Sequence, residues 1–245
     1  METYELNDTI FFLSRVGDGI GRRTIKNFME SLFKNLVEQS TKYMDTVSEA
    51  PYSFSGKQLH SIFAPSLARL TDSFLMEQPI SRQWSKRKKL NMNDSHGWLD
   101  YWCRYKGYDY FIELKHNYDA FRTDTIKYSL LKNWKLMNSQ LAVVRKDAKE
   151  YRKNCKGVFL VSLHFVTVYE TCSSNKVPKS LADNLRLKEI QKKYFNSDQL
   201  KPSPNWSALW IVPKPYVRST FKELNLNYQY YPLIMVLANV SELIN

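Results

Sequence analysis

Two acidic residues and one basic residue, Asp100, Glu113 and Lys115, could together form a catalytic site. Two carboxylates held close together bind hard divalent cations such as Mg²⁺. An ammonium group beside them can orient a water or stabilise the charge that builds on a phosphate. With a metal ion that lowers the pKa of a bound water, such a set could hydrolyse a phosphodiester.

A predicted β-hairpin brings these side chains together. Two runs of alternating residues flank Lys106-Gly107, a pattern typical of a tight turn between antiparallel strands. This turn places Asp100 opposite Glu113, with Lys115 two residues further along the same face. Opposed carboxylates lie about 5 Å apart at Cβ and repel each other. A bound cation, protonation of one acid or solvent screening would offset that repulsion.

The two faces of the predicted hairpin differ in character. Its register pairs Arg104 with Asp109, and opposite charges across a strand pair stabilise a sheet. We expect the almost wholly apolar face to pack on the core: Leu99, Tyr101, Cys103, Tyr105, Tyr108, Tyr110, Ile112 and Leu114. The other face carries Trp98, Asp100, Trp102, Arg104, Asp109, Phe111, Glu113 and Lys115.

The remaining elements predict a mixed α/β fold with an N-terminal helical part. Residues 1–56 are predicted as an N-terminal helical segment and residues 57–245 as an α/β domain, together forming one compact unit. Helices are expected over 22–48, about 57–75 with an interruption at Pro65, about 119–152, and 179–195. Strands are expected at Glu77–Trp84, in the hairpin, at Gly157–Tyr169 and at Ala208–Val212, with Tyr230–Val240 as a strand or short helix.

Composition favours a polyanionic partner. The net charge is +12 over 245 residues, and counterion release then favours nucleic acid, with an anionic membrane surface as the competitor. Three cysteines without a CxxC pair argue against a disulfide framework or a zinc ribbon and suit a reducing cytosol. The chain contains no apolar run of membrane-spanning length and begins without a basic signal region. We therefore expect a cytoplasmic protein without a membrane partner.

The arrangement Asp100…Glu113-Leu114-Lys115 resembles the D…ExK signature of the PD-(D/E)xK nuclease superfamily, with Leu99 where the motif has Pro. The resemblance covers roughly residues 57–170. It implies a restriction-endonuclease-like core, a central mixed sheet flanked by helices, with the Asp and the ExK on adjacent strands. It also implies Mg²⁺ or Mn²⁺ as cofactor, and catalytic roles for Asp100, Glu113 and Lys115. Restriction, repair and defence nucleases belong to this superfamily.

One feature of that superfamily has no counterpart in the expected place. Its members often add a Glu from the first core helix, and residues 57–75 contain none. Glu77 is the candidate third metal ligand beside Asp100 and Glu113, and Glu30 is a weaker one. Gln140, in the predicted long helix, is a candidate supporting residue.

Basic residues near the predicted site are candidates for phosphate contacts. A solvated surface is the alternative interpretation of the run at 85–89. The candidates are Arg82, Lys86, Arg87, Lys88, Lys89, Lys127 and Lys135.

The expected function is a metal-dependent endonuclease acting on DNA, in phage defence, repair or a mobile element. A nuclease-like fold that has lost catalysis and grips nucleic acid or a protein is the alternative, and a basic subunit of a larger complex is a third. Cutting two strands with one site per chain would favour a homodimer.

Overall fold

A computed structural model describes residues 2–6, 10–14, 22–53, 56–81, 96–151, 154–173, 184–222 and 227–243. Within these ranges the α-helices are α1 (Arg22–Val47), α2 (Gly56–Ala68), α3 (Tyr128–Tyr151) and α4 (Asn184–Phe195). A 3-10 helix spans Lys214–Tyr216. The strands are β1 (Glu2–Leu6), β2 (Ile10–Ser14), β3 (Ser73–Ser81), β4 (His96–Tyr105), β5 (Tyr108–Ala120), β6 (Gly157–Cys172), β7 (Trp206–Ile211), β8 (Ser219–Lys222) and β9 (Asn227–Glu242).

These strands form one mixed sheet. Its order is β1-β2-β7-β9-β6-β5-β4-β3, and β8 pairs with β9 beside this path. Strands β5 and β6 run parallel, and α3 makes the crossover between them that a parallel pair requires. The other strand pairs of the described residues are antiparallel. The hairpin β4–β5 is therefore tied to the centre of the sheet through β6.

Helices cover both faces of the sheet. On one face, Phe28 of α1 and Phe63 of α2 pack in a cluster with Tyr101 and Tyr110. On the other face, apolar side chains of α3 and α4 pack on β6, β7 and β9, and α3 also packs on Phe111 of β5. This layering confirms the expected mixed α/β class with a central sheet flanked by helices.

The N-terminal part contributes strands as well as a helix. Strands β1 and β2 precede α1, and β2 pairs with β7 of the shared sheet. The expected helix over 22–48 is confirmed as α1, but the segment 1–56 is not purely helical. Pairing with a strand nearly 200 residues away is invisible in local periodicity.

Several element boundaries differ from the expectation. Helix α2 continues through Pro65 and ends at Ala68, and β3 starts at Ser73 because Ser73 pairs with Arg104. Strand β5 runs on to Ala120, paired with β6 along its length, so α3 begins only at Tyr128. The segment Tyr230–Val240 lies within strand β9. The end of the expected first strand, Trp84, lies outside the described residues.

The hairpin register is confirmed from Tyr101–Ile112 to Tyr105–Tyr108. Lys106 and Gly107 form the two-residue turn with φ values of 51° and 80°. Positive φ at both positions is the backbone conformation whose twist matches that of the flanking strands.

The expected face of Leu99 is wrong. Leu99 packs with Phe111 and Leu141 of α3, whereas Tyr101 packs on the opposite face with α2. The alternation breaks at Asp100, where β4 is no longer paired with β5. Across from Asp100 on β3, Glu77 has φ 51°, and such a residue bends a strand locally.

The ion pair between Arg104 and Asp109 generates a stability prediction. The guanidinium donates from Nε to Oδ1 at 2.6 Å and from Nη2 to Oδ2 at 2.9 Å, and Asp109 is fully buried. Arg104→Met leaves that carboxylate without compensation, so the free energy of unfolding should fall by about 3 kcal/mol in urea denaturation. The matched control is Arg69→Met, whose pair with Glu38 is exposed and should cost less than about 1 kcal/mol. Equal losses in both variants would contradict the prediction.

Candidate active site

Lys115 lies between the two predicted carboxylates. Its Nζ donates to Glu113 Oε1 at 2.7 Å and lies 3.5 Å from Asp100 Oδ2. The three side chains singled out by type and spacing are thus brought together where β4 leaves β5.

The backbone fixes the Asp100 carboxylate. The last regular pair of the hairpin is Tyr101–Ile112, and one step further Asp100 Oδ2 accepts a hydrogen bond from the Leu114 N–H at 2.7 Å. A side-chain oxygen thus satisfies a main-chain donor at the end of the ladder. Asp100 and Glu113 lie just beyond the last paired residues of the hairpin. They therefore do not form the directly opposed strand pair that the sequence predicted.

Burial differs across the three side chains. Glu113 is 2% exposed, whereas Asp100 and Lys115 are each 24% exposed. A carboxylate so deeply buried is costly unless a cation compensates it, and Lys115 supplies that charge. The site therefore opens to solvent on the side of Asp100 and Lys115, with Glu113 at its floor.

Polar side chains continue from Glu113 across the sheet beneath α3. Ser162 of β6 is the register partner of Glu113, and Asn239 of β9 is the partner of Ser162. Asn138 of α3 accepts hydrogen bonds through Oδ1 from Ser162 at 2.8 Å and from Asn239 at 2.9 Å. Side chains from three elements thus meet at one amide oxygen. These hydrogen bonds hold α3 against the sheet next to the buried Glu113.

A pocket of about 190 Å³ lies beside this polar row. Asn138, Ser162 and Asn239 line it together with Leu141, Ala142, Leu160, Pro202 and Ser241. Most of these lining groups are apolar or are already hydrogen-bonded to one another, so the pocket belongs to the packing of α3 on the sheet.

His164 lies next to Lys115 as its register partner on β6. Its Nε2 is 2.8 Å from Asn117 Oδ1, which also accepts from Asn133 at 2.8 Å, and its ring stacks on Trp134. Because Asn117 Oδ1 only accepts, Nε2 is the protonated nitrogen of a neutral ring. Burial lowers the pKa of His164 from 6.5 to about 3, and the positive charge of Lys115 acts in the same direction.

His60 of α2 lies close enough to Asp100 and Lys115 for their charges to affect its pKa. Its Nδ1 lies 2.7 Å from the hydroxyl of Tyr101. Burial lowers the pKa of His60, while the charges of Asp100 and Glu77 raise it and that of Lys115 lowers it. Helix α2 precedes β3 in the chain. At this place it contributes a histidine, His60, and not a carboxylate.

The supporting residues expected from the sequence lie on three different elements. Glu77 is exposed on β3, Glu30 lies on α1, and Gln140 is half-buried on α3. Among the described residues, no three His, Cys, Asp or Glu side chains are arranged to hold one metal ion. Glu77 as a third ligand and Gln140 as a support therefore stay predictions.

The expected phosphate contacts divide into two groups. Arg82, Lys86, Arg87, Lys88 and Lys89 lie outside the described residues. Lys127 donates to the Tyr169 hydroxyl at 2.9 Å and lies over its ring, so its charge is already engaged. Lys135 is exposed on the outer side of α3, as is Lys132.

The sequence contained a signal for the missed polar row. Ser162 and His164 are the polar residues on one face of the segment Gly157–Tyr169, which apart from them and Thr167 is apolar or aromatic. Polar residues at alternate positions of a buried strand require partners. Asn138, by contrast, could not have been identified, because its partners come from distant strands.

Comparison of the chain with known protein families, with curated proteins and with solved structures finds no match. No α-helix among the described residues combines the length and apolar character that a membrane crossing requires. The function must therefore be argued from the site itself.

The low pKa of His164 generates a prediction of pH dependence. Between pH 7.5 and 5 the unfolded state gains a proton on this ring and the folded state does not, so stability falls as the pH falls. With an unfolded pKa near 6.5, the loss attributable to His164 is about 2 kcal/mol at pH 5. Urea denaturation measures the free energy of unfolding at both pH values. Its decrease from pH 7.5 to pH 5 should be about 2 kcal/mol smaller for His164→Gln than for the wild type. Parallel drops in the two proteins would refute this assignment.

Proposed function

We propose that this protein is a metal-dependent nuclease that hydrolyses phosphodiester bonds of DNA. The observation that carries the proposal is that Lys115 lies between Asp100 and Glu113 where the hairpin strands separate. Glu113 is buried there, and Asp100 and Lys115 are partly exposed. The net charge of +12 favours a polyanionic substrate. A PD-(D/E)xK-type site is the interpretation that accounts for the three residues together.

The donor atoms of the site suit Mg²⁺ or Mn²⁺. Mg²⁺ is typically held through one or two carboxylates, with waters and substrate phosphates completing its shell. Asp100 and Glu113 offer two carboxylates that are already held near one positive charge, so we expect them to hold the metal. The chemistry that a bound metal would supply is polarisation of the phosphate and a lowered pKa of a bound water.

The chain's own residues have separable roles in this proposal. The Leu114 N–H orients Asp100, whose second oxygen remains for a ligand. Glu113 is fixed by burial and contributes charge in a low-dielectric environment. Lys115 reaches solvent at the mouth of the site, where its ammonium can orient a water or stabilise charge on the phosphate.

The direct test is cleavage of plasmid and single-stranded DNA with Mg²⁺ or Mn²⁺. We expect metal-dependent cutting by the wild type, and a loss of about 100-fold or more in Asp100→Asn, Glu113→Gln and Lys115→Met. Calorimetric titration with Mn²⁺ should show that the two carboxylate variants lose metal binding. Lys115→Met should keep it, because it removes a competing cation and retains both carboxylates.

The matched control is Glu38→Gln, which neutralises an exposed carboxylate of α1. It should cut like the wild type. The proposal fails if wild-type protein shows no metal-dependent cutting of either DNA, or if the three site variants cut as fast as the control.

A binding module without catalysis is the second candidate. It is favoured by the absence, within the described part of the chain, of a three-residue metal group, and by a histidine on α2 where nuclease-like proteins often place a Glu. Under this alternative, DNA binds equally well with Mg²⁺ and with EDTA.

A further prediction concerns the exposed lysines of α3, and it holds for both candidate functions. Lys135→Ala should reduce the slope of log affinity against log salt by about one unit, because one phosphate contact is lost. Lys42→Ala removes an equally exposed charge from α1 on the opposite side of the sheet and should leave the slope unchanged. Fluorescence anisotropy with labelled DNA over a salt series measures both slopes. Identical slopes for the two variants would remove α3 from the DNA-binding surface.

A further inference from the structure

The ammonium group of Lys115 lies between the two carboxylates that are proposed to hold a metal. Its Nζ is 2.7 Å from Glu113 Oε1 and 3.5 Å from Asp100 Oδ2. A cation bound by both acids must enter this space or lie directly beside the ammonium. The site therefore already contains a positive charge that belongs to the chain itself.

A divalent ion and this ammonium repel each other. Two positive charges about 4 Å apart interact strongly where solvent is partly excluded, and Glu113 is only 2% exposed. A hydrogen bond from an ammonium to a carboxylate is also stronger than one between neutral groups. Both effects must be overcome before the two acids can hold a metal. We therefore expect the free protein to bind divalent metal weakly.

Lys115 can leave the space between the acids by turning toward solvent. Its side chain is 24% exposed, and the ammonium is carried on a flexible four-carbon stem. Glu113 is held by burial, and Asp100 is held by the Leu114 N–H. Of the three side chains, the lysine is therefore the one that can move while the acids keep their places.

The chain offers the displaced ammonium few anions on the same face of β5. Two residues beyond Lys115, Asn117 is uncharged, and its Oδ1 already accepts hydrogen bonds. The next acid along the strand, Asp119, is buried and paired with Lys193. Glu77 of β3 is exposed, so solvent screens its charge. An anion that binds from solvent is therefore the partner that best compensates the displaced ammonium, and at a nuclease site that anion is a phosphate.

We propose that Lys115 couples the binding of metal to the binding of substrate phosphate. In the free protein its ammonium blocks the two carboxylates, and a phosphate at the mouth of the site draws it outward. Metal and phosphodiester then each strengthen the binding of the other. This inference rests on the proposed function for the identity of the two ligands, but the coupling is measurable without cleavage.

The first test compares metal affinities in the absence of DNA. Calorimetric titration with Mn²⁺ should show that Lys115→Met binds the metal about tenfold more tightly than the wild type, because no ammonium bond to Glu113 has to be broken. Lys42→Met is the matched control: it removes an exposed charge from α1 and should bind Mn²⁺ like the wild type. Equal or weaker binding by Lys115→Met would overturn the proposal.

A second test follows the lysine in the wild-type protein, so it does not depend on the folding of a variant. Acetylation of each lysine is measured by mass spectrometry at one fixed pH, with and without Mg²⁺. Lys115 should react faster when Mg²⁺ is present. Lys193 is the internal control, because it is also paired with a buried carboxylate, Asp119, but lies outside the site. An unchanged rate at Lys115, or an equal increase at Lys193, would contradict displacement.

A third test measures the coupling from the side of the DNA. Because coupling is reciprocal, the gain in DNA affinity on adding metal equals the gain in metal affinity on adding DNA. Fluorescence anisotropy with labelled DNA gives this gain as the ratio of affinities in Ca²⁺, which replaces Mg²⁺ to prevent cutting, and in EDTA. The gain should be about fivefold smaller in Lys115→Met than in the wild type or Lys42→Met. Equal gains in all three proteins would refute the coupling.

A cleavage assay with Mg²⁺ separates this inference from the proposed function. Displacement of Lys115 and coupled binding without any cutting would refute the nuclease and support the coupling. Metal-dependent cutting, with Lys115 reactivity unchanged by Mg²⁺ and equal Mn²⁺ affinity in wild type and Lys115→Met, would refute the coupling and support the nuclease.

Discussion

Two carboxylates placed side by side repel each other, and the ammonium of Lys115 lies between Asp100 and Glu113 and offsets that repulsion. In the proposed function, a divalent metal bound by the two carboxylates would take over part of this charge compensation, and the ammonium would then be available at the open side of the site. Burial of Glu113 and exposure of Lys115 give the two ends of the site different roles.

The fold keeps this pair in place through its neighbours. Strand β5 is held from one side by its parallel partner β6 and from above by α3, so Glu113 and Lys115 have little freedom. Asp100 of β4 is held by the Leu114 N–H and by Lys115, at the point where the β4–β5 pairing ends. The site is therefore supported by β6 and α3 on one side and partly exposed at Asp100 and Lys115. The proposed relation to the PD-(D/E)xK nucleases rests on this geometry, in which the Asp and the ExK lie on adjacent strands.

Charge along the buried face of β5 is matched residue by residue. Asp109 near its start is paired with Arg104, and Asp119 near its end accepts from Lys193 and Tyr194 of α4. Lys115 occupies the middle of the same face. Each buried ion therefore has a partner of opposite charge or a hydrogen-bond donor, as the cost of desolvation demands. Burial lowers the pKa of His164, so this histidine stays neutral for the same reason.

The hairpin, its turn and the proximity of Asp100, Glu113 and Lys115 could be predicted from the amino-acid sequence alone. These depend on local physics: a turn at Lys106-Gly107 that tolerates positive φ, and side chains that alternate between faces. The mixed α/β class followed from the same periodicities. Three features became visible only in the folded chain: β5 extends to Ala120, two N-terminal strands join the sheet, and Leu99 faces α3. Each of these depends on contacts with strands or helices distant in the chain, and such contacts override the local pattern because they bury more apolar surface and pair more backbone groups than the local alternative.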